Sequence, residues 1–366
     1  PNSQDAKDLM QKIQEFNDLK KLSQENPENL NIIFRLGELY YDFGDYDNAV
    51  SQFKILTEKD FKKGIVLFRI GKCYFQKEEY DLAVDNFRQA KSADPSLDYL
   101  DKWIRISESY KKIKSDIKYK SESYFAIAKI FFDDEVFDSS SYYYNLGLEI
   151  DPTNLEAITT IQKIKKITDA YQNLDWAREM LTQDLDLERG MNYITKALEI
   201  MREVNYEKGI IKVLDEAGDM FEDLGNMYLA IEFYQQLVNE FPDTPEGYIG
   251  MSSSYTLLLD FENSIKEADK GLAKFPENVT LNNMKGFALR RLSRFEEAIP
   301  YLQKAKENDK TFYAPVESLF FCYVNQKRYD DAQNILDYLK ENFKDESSPN
   351  IYGASLEKIL ELKDKQ

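Results

Sequence analysis

Any chemistry in this chain has to come from carboxylates, lysines, tyrosines or two cysteines, because its 366 residues include no histidine. That removes the commonest general base and metal ligand, and with them the Ser-His and Cys-His nucleophile pairs. Cys73 and Cys322 cannot build a zinc site by themselves and read as small apolar residues. The densest acidic set is Asp215, Asp219, Glu222 and Asp223, on successive turns of one predicted helix. Carboxylates so placed would attract a Lys/Arg-rich segment, or they form a solvated face. A single helix does not surround a substrate, and no phosphate loop or metal set accompanies it. The chain is therefore read as non-enzymatic, with no cofactor and no metal.

The charge balance is 48 basic to 66 acidic residues, a net −18. Such a surface repels phosphate backbones and anionic bilayers, so nucleic acid is excluded as a general partner. No apolar run approaches the ~18 residues of a membrane span, so direct membrane insertion is not expected. The sequence opens on Pro1 rather than Met. An export signal or lipid anchor ahead of it is left open, as is the compartment, cytoplasm or bacterial periplasm.

The elements that position these residues follow from counting. Glycine (14) and proline (10) are scarce, which favours long helices with short turns over an all-β fold. Three segments look alike: LGELYYDFGDYDNAVSQF from Leu36, IGKCYFQKEEYDLAVDNFRQA from Ile70 and KGFALRRLSRFEEAIPYLQKA from Lys285. The pairs Gly37/Gly71, Ala49/Ala83 and Phe53/Phe87 are each 34 residues apart. Gly218, Ser252, Gly286 and Phe320 recur at the same interval, as do Ala230, Ser264, Ala298 and Ala332. Pro95, Pro152, Pro242 and Pro276 mark the ends of units, where a proline follows a finished helix.

The pattern is similar to the tetratricopeptide repeat, a helix–turn–helix unit of 34 residues. The resemblance implies an all-α, right-handed superhelical solenoid of antiparallel helix pairs. Seven units are read: 30–63, 64–97, 121–154 and the four consecutive units of 211–346, about two-thirds of the chain. Residues 1–29 are expected to form an N-terminal capping helix, and 347–366 a C-terminal one. An inserted helix is expected at 98–120 and an irregular helical segment at 155–210. Glu78 and Glu135 stand at turn positions where Gly44 and Gly225 occur in other units, and if the backbone there is left-handed a non-glycine residue costs on the order of 1 kcal/mol. Pro300 is expected in the first turn of a second helix, where a missing N–H is tolerated.

In proteins of this family the fifth, ninth and twelfth positions of each unit point into a concave groove. By that resemblance the inward residues here are Phe34, Glu38 and Tyr41, then Phe68, Lys72 and Phe75, then Phe125, Lys129 and Phe132. Two aromatic rows with charges between them suit an extended peptide or an amphipathic helix, while packing between units is an equal reading. The positions used by the family's chaperone-tail clamp hold Phe34, Glu38 and Phe68, so that mode is not expected. Asp215, Asp219 and Glu222 are the inward set of the unit at 211–244, with Asp223 beside them. The function this implies is a protein–protein interaction scaffold or adaptor holding a partner protein or peptide. The alternative is a peptide-sensing regulatory receptor whose solenoid changes shape on binding. Exposed aromatic rows also leave self-association open.

Overall fold

A computed structural model describes residues 4–115 and 119–343, and the closing helix expected at 347–366 lies outside the described residues. Among the described residues every regular element is helical: eighteen α-helices and one π-turn. The chain divides into two compact units, 1–164 and 165–366.

The first unit holds α1 (Gln4–Glu25), α2 (Leu30–Asp42), α3 (Tyr46–Glu58), α4 (Lys63–Gln76), α5 (Tyr80–Ala93), α6 (Leu100–Ser115), α7 (Lys120–Asp133), α8 (Phe137–Leu148) and the start of α9 (Leu155–Glu179). The second holds the rest of α9, a π-turn (Met180–Asp184), α10 (Leu187–Glu203), α11 (Glu207–Asp223), α12 (Met227–Glu240), α13 (Glu246–Leu257), α14 (Phe261–Lys274), α15 (Val279–Arg291), α16 (Phe295–Asn308), α17 (Tyr313–Asn325) and α18 (Tyr329–Asn342). Consecutive helices pack on one another along each unit, and α11, α13, α15 and α17 also touch in sequence. This is a stack of antiparallel helix pairs in which each pair covers the apolar stripe of the last.

The 34-residue spacing has a steric cause. Gly71 of α4 lies under the ring of Phe87 of α5, and a Cβ there would come within 2.5 Å of that ring. Phe87 and its counterpart Phe53 are consequently fully buried. Ser140 and Ser264 fill alanine positions without an orphaned hydroxyl: Ser140 donates to the Ala128 carbonyl at 2.8 Å, and Ser264 shares hydrogen bonds with Ser252 and Thr256. Cys73 and Cys322 are free and fully buried, and burial pushes their thiols up to about 12 and about 11. They stay protonated, inert and apolar in role.

The turns inside the pairs share one geometry. After α2, Gly44 donates to the Tyr41 carbonyl and Asp45 to that of Tyr40, a Schellman closure needing one left-handed residue. Gly44 and Gly225 meet that need with φ of 78° and 75°. Glu78 and Glu135 are left-handed as well, with φ of 58° and 62°. Leu259, Ser293 and Lys327 occupy the same place with φ near 60°, each at a cost of about 1 kcal/mol relative to glycine. Asp45, Asn226 and Asp260 then cap the second helix of the pair by accepting a backbone N–H. Pro300 departs from expectation. Helix α16 starts at Phe295, which puts the proline in the second turn, where it forfeits a bond to the Glu296 carbonyl. Its exposed position lets solvent reach that carbonyl instead.

Candidate functional site

The aromatic rows of the first unit lie half-buried on the first helices, with Lys129 exposed. Phe34 of α2 leans on Phe53 and Phe61, and Lys62 sits 5.4 Å above its ring. Phe68 of α4 meets Phe87, Tyr99 and Trp103, and Phe75 meets Tyr80, Trp103 and Tyr110. Tyr99, Trp103 and Tyr110 belong to the segment of α6, which packs between α5 and α7. The row is thus not continuous from α4 to Phe125 and Phe132 of α7, because α6 stands between them. Phe125 instead packs on Tyr144, and Phe132 on Phe137.

The charges along this row are matched internally. Glu38 accepts from Arg69 at 2.8 Å and from Arg35 at 3.4 Å, and Arg35 in turn reaches Glu15 of α1 at 2.6 Å. Among the described residues no carboxylate pairs with Lys72. Its ammonium lies 5.2 Å from the Tyr41 ring and 5.1 Å from that of Trp103, and burial holds its pKa down. Trp103 was not singled out in the sequence, although Tyr99 and Trp103 repeat the i, i+4 spacing of Phe68 and Lys72.

The acidic set of the second unit is arranged differently. Asp215, Asp219 and Glu222 of α11 face Glu246, Ile249 and Ser253 of α13 across a cleft of about 270 Å³, with Tyr234 at its base. The floor exists because Gly218 and Gly250 have no side chains. The Tyr234 ring lies against both, too close for a Cβ at either place. Tyr234 is almost fully buried, and its hydroxyl reaches the cleft to donate to Asp219 at 2.6 Å. Glu222 accepts from Ser254 at 2.5 Å and Ser253 at 3.2 Å. One oxygen of Glu246, Oε2, is shut off from solvent without a hydrogen-bond partner. Asp223 is exposed at the end of α11 and does not line the cleft.

No ammonium or guanidinium pairs with these four carboxylates among the described residues, whereas neighbouring Glu216 is paired with Arg178 at 2.7 Å. Burial, with Asp219 and Glu246 nearby, raises the Asp215 carboxyl to about 6. Burial raises Glu222 too, against its two serine donors. Among the described residues no three such side chains converge closely enough to hold a metal ion. Glu246 escaped sequence reading because it comes from the following unit, one turn before that unit's fifth position. The cleft can lower its electrostatic energy by taking an organic cation with several hydrogen-bond donors.

Three family models match: a tetratricopeptide repeat over residues 34–98, another over 213–244, and the N-terminal repeat region of Psidin over 255–350. With the stacked pairs and their 34-residue register, they place the chain among all-α helical-repeat proteins. It belongs to the tetratricopeptide-repeat proteins. A tetratricopeptide-repeat-containing protein of Methanocaldococcus jannaschii is 22% identical over 93% of this chain, and the chain spans about half of that relative's length (51%). Among solved structures, yeast Tom70 matches 98% of this chain and 95% of its own at 14% identity, with a TM-score of 0.41. The TPR2AB domain of yeast Sti1, in complex with pHSP90, matches 80% of this chain and 98% of its own at 15% identity, with a TM-score of 0.29. Among the described residues no helix is long and apolar enough to cross a membrane.

Proposed function

We propose that this protein is a non-catalytic interaction scaffold, and that the cleft between α11 and α13 receives a lysine or arginine side chain from a partner protein or peptide. The repeat architecture supports the scaffold role. The observation that carries the finer reading is the unneutralised set Asp215, Asp219, Glu222 and Glu246 around one cleft. A guanidinium or ammonium there would form charge-assisted hydrogen bonds with the carboxylates that line the cleft. It would also return Asp215 toward its ordinary acidity.

The test is calorimetric titration of the full chain with a short Arg-containing peptide, against Asp219→Asn/Glu246→Gln. The wild type is expected to bind at least 10-fold more tightly than the double variant, and to weaken as salt rises. Because Asp215 titrates near 6, affinity is expected to fall as the pH drops below that value. Equal affinity of the two proteins at low salt and neutral pH refutes the cleft as the recognition site.

A further inference from the structure

Among the described residues of the second unit, the exposed large apolar side chains are not scattered. Leu185, Leu187, Leu224, Tyr228, Leu257 and Leu259 are all exposed, and Trp176 is the seventh. Leu185 and Leu187 precede or open α10, Leu224 closes α11, Tyr228 opens α12, and Leu257 and Leu259 close α13. Consecutive helices run antiparallel, so these termini fall on one edge of the stack, and Trp176 is one turn from the matching end of α9. Among the described residues, the opposite edge, at the turns after α10, α12, α14 and α16, exposes no large apolar side chain.

The fold does not demand apolar residues there. In the 34-residue register the counterparts of Leu257 are Asp223, Arg291 and Asn325. Those of Leu259 are Gly225, Ser293 and Lys327, and those of Tyr228 are Glu262, Glu296 and Asp330. Leu259 and Leu185 also sit at φ of 61° and 53° while 65% and 74% exposed. A leucine in the left-handed region is strained, and here it recovers nothing by burial.

The rim identifies what would cover it. The three segments 184–189, 223–228 and 257–262 carry Asp184, Asp186, Glu188, Asp223, Asp260 and Glu262 against Arg189 alone. A second copy of the same edge would bring like charges together, and an anionic bilayer would be repelled. Successive helix pairs also set their turns roughly 10 Å apart, close to the ~10 Å between residues i and i+7 of a helix. We infer that this edge docks an amphipathic helix of a partner protein, with leucine-like residues at i and i+7 flanked by lysine or arginine. It is separate from the α11/α13 cleft and independent of that reading.

The probe is a fluorescein-labelled 18-residue helix of leucines at i, i+3, i+4 and i+7 with lysines elsewhere, followed by anisotropy on the full chain in 0.15 M salt. The variant is Leu257→Asn/Leu259→Gly, which installs residues that sibling units already carry. It is expected to melt no lower than wild type and to bind the probe at least 10-fold more weakly. A probe with serines for leucines is expected to bind at least 10-fold more weakly, and Asp219→Asn/Glu246→Gln is expected to leave that ratio unchanged, because any lysine the cleft takes is common to both probes. Undiminished binding by the leucine variant overturns the inference, as does loss only in the cleft variant. It is equally overturned if sedimentation shows wild-type dimers that the leucine variant abolishes, since a second copy would then be the occupant.

Discussion

The fifth, ninth and twelfth positions hold Phe68, Lys72 and Phe75 in one unit of the chain and Asp215, Asp219 and Glu222 in another, and the two sets meet opposite fates. On α4 every member has an internal complement: rings of α6 against both phenylalanines, and two aromatic faces about Lys72. On α11, Tyr234 and two serines donate to Asp219 and Glu222, but among the described residues no cation pairs with the set, and the helix across the cleft adds a fourth carboxylate, Glu246. The lesson is that position in a repeat does not decide whether a residue is structural or free for recognition. The neighbouring helix decides it, by supplying or withholding a partner.

Breaking the aromatic side of this contrast has the largest effect. Trp103 touches Phe68, Phe75 and Phe87 and shields Lys72. Trp103→Ala is expected to cost about 3 kcal/mol of stability in the first unit, read as a lower urea midpoint by far-UV circular dichroism. A cost below about 0.5 kcal/mol would mean that α6 does not close the row, and would restore Phe68 and Phe75 as a free surface.

The acidic side responds with opposite sign. The folded-state pKa of Asp215, about 6, lies above its ordinary 3.8. Between these values the folded state binds more proton than the unfolded, so this group's contribution falls as pH rises through that window. Asp215→Asn is expected to gain about 1 kcal/mol near pH 7 and nothing near pH 3.5. Urea midpoints of both proteins at the two pH values check it. A difference that does not change with pH would mean that the cleft carboxylates are screened as an ordinary surface is.

The repeat was legible because sterics impose it: a small residue in one helix under an aromatic of the next recurs wherever two helices approach closely. The left-handed turns were legible for the same reason, since Gly44 and Gly225 fix the register that Glu78 and Glu135 share. Pro300 was misplaced by a turn, because the helix start depends on the Schellman closure before Phe295 rather than on the apolar stripe. The complements were not legible at all. Trp103 reaches Phe68 and Phe75 from roughly thirty residues away, and Glu246 reaches Asp215 from the following unit. Local periodicity shows which face a residue occupies but not what stands opposite.

The turns supply a control in which the two regions should agree. Glu78 and Ser293 are both left-handed, at φ of 58° and 60°, and both donate to the carbonyl three residues back. Replacing either by glycine removes the Cβ clash and adds freedom to the unfolded chain, for a net gain of about 0.5 kcal/mol. Glu78→Gly also loses an exposed pair with Lys114, at 3.3 Å, worth at most a few tenths of a kcal/mol. The two variants should therefore raise stability by similar small amounts, with Ser293→Gly slightly ahead, in paired thermal melts. A large disparity would locate the contrast in the backbone of the repeats. Near-equality leaves it where the side chains put it, in charge and rings that are matched at α4 and carboxylates that no cation neutralises at α11.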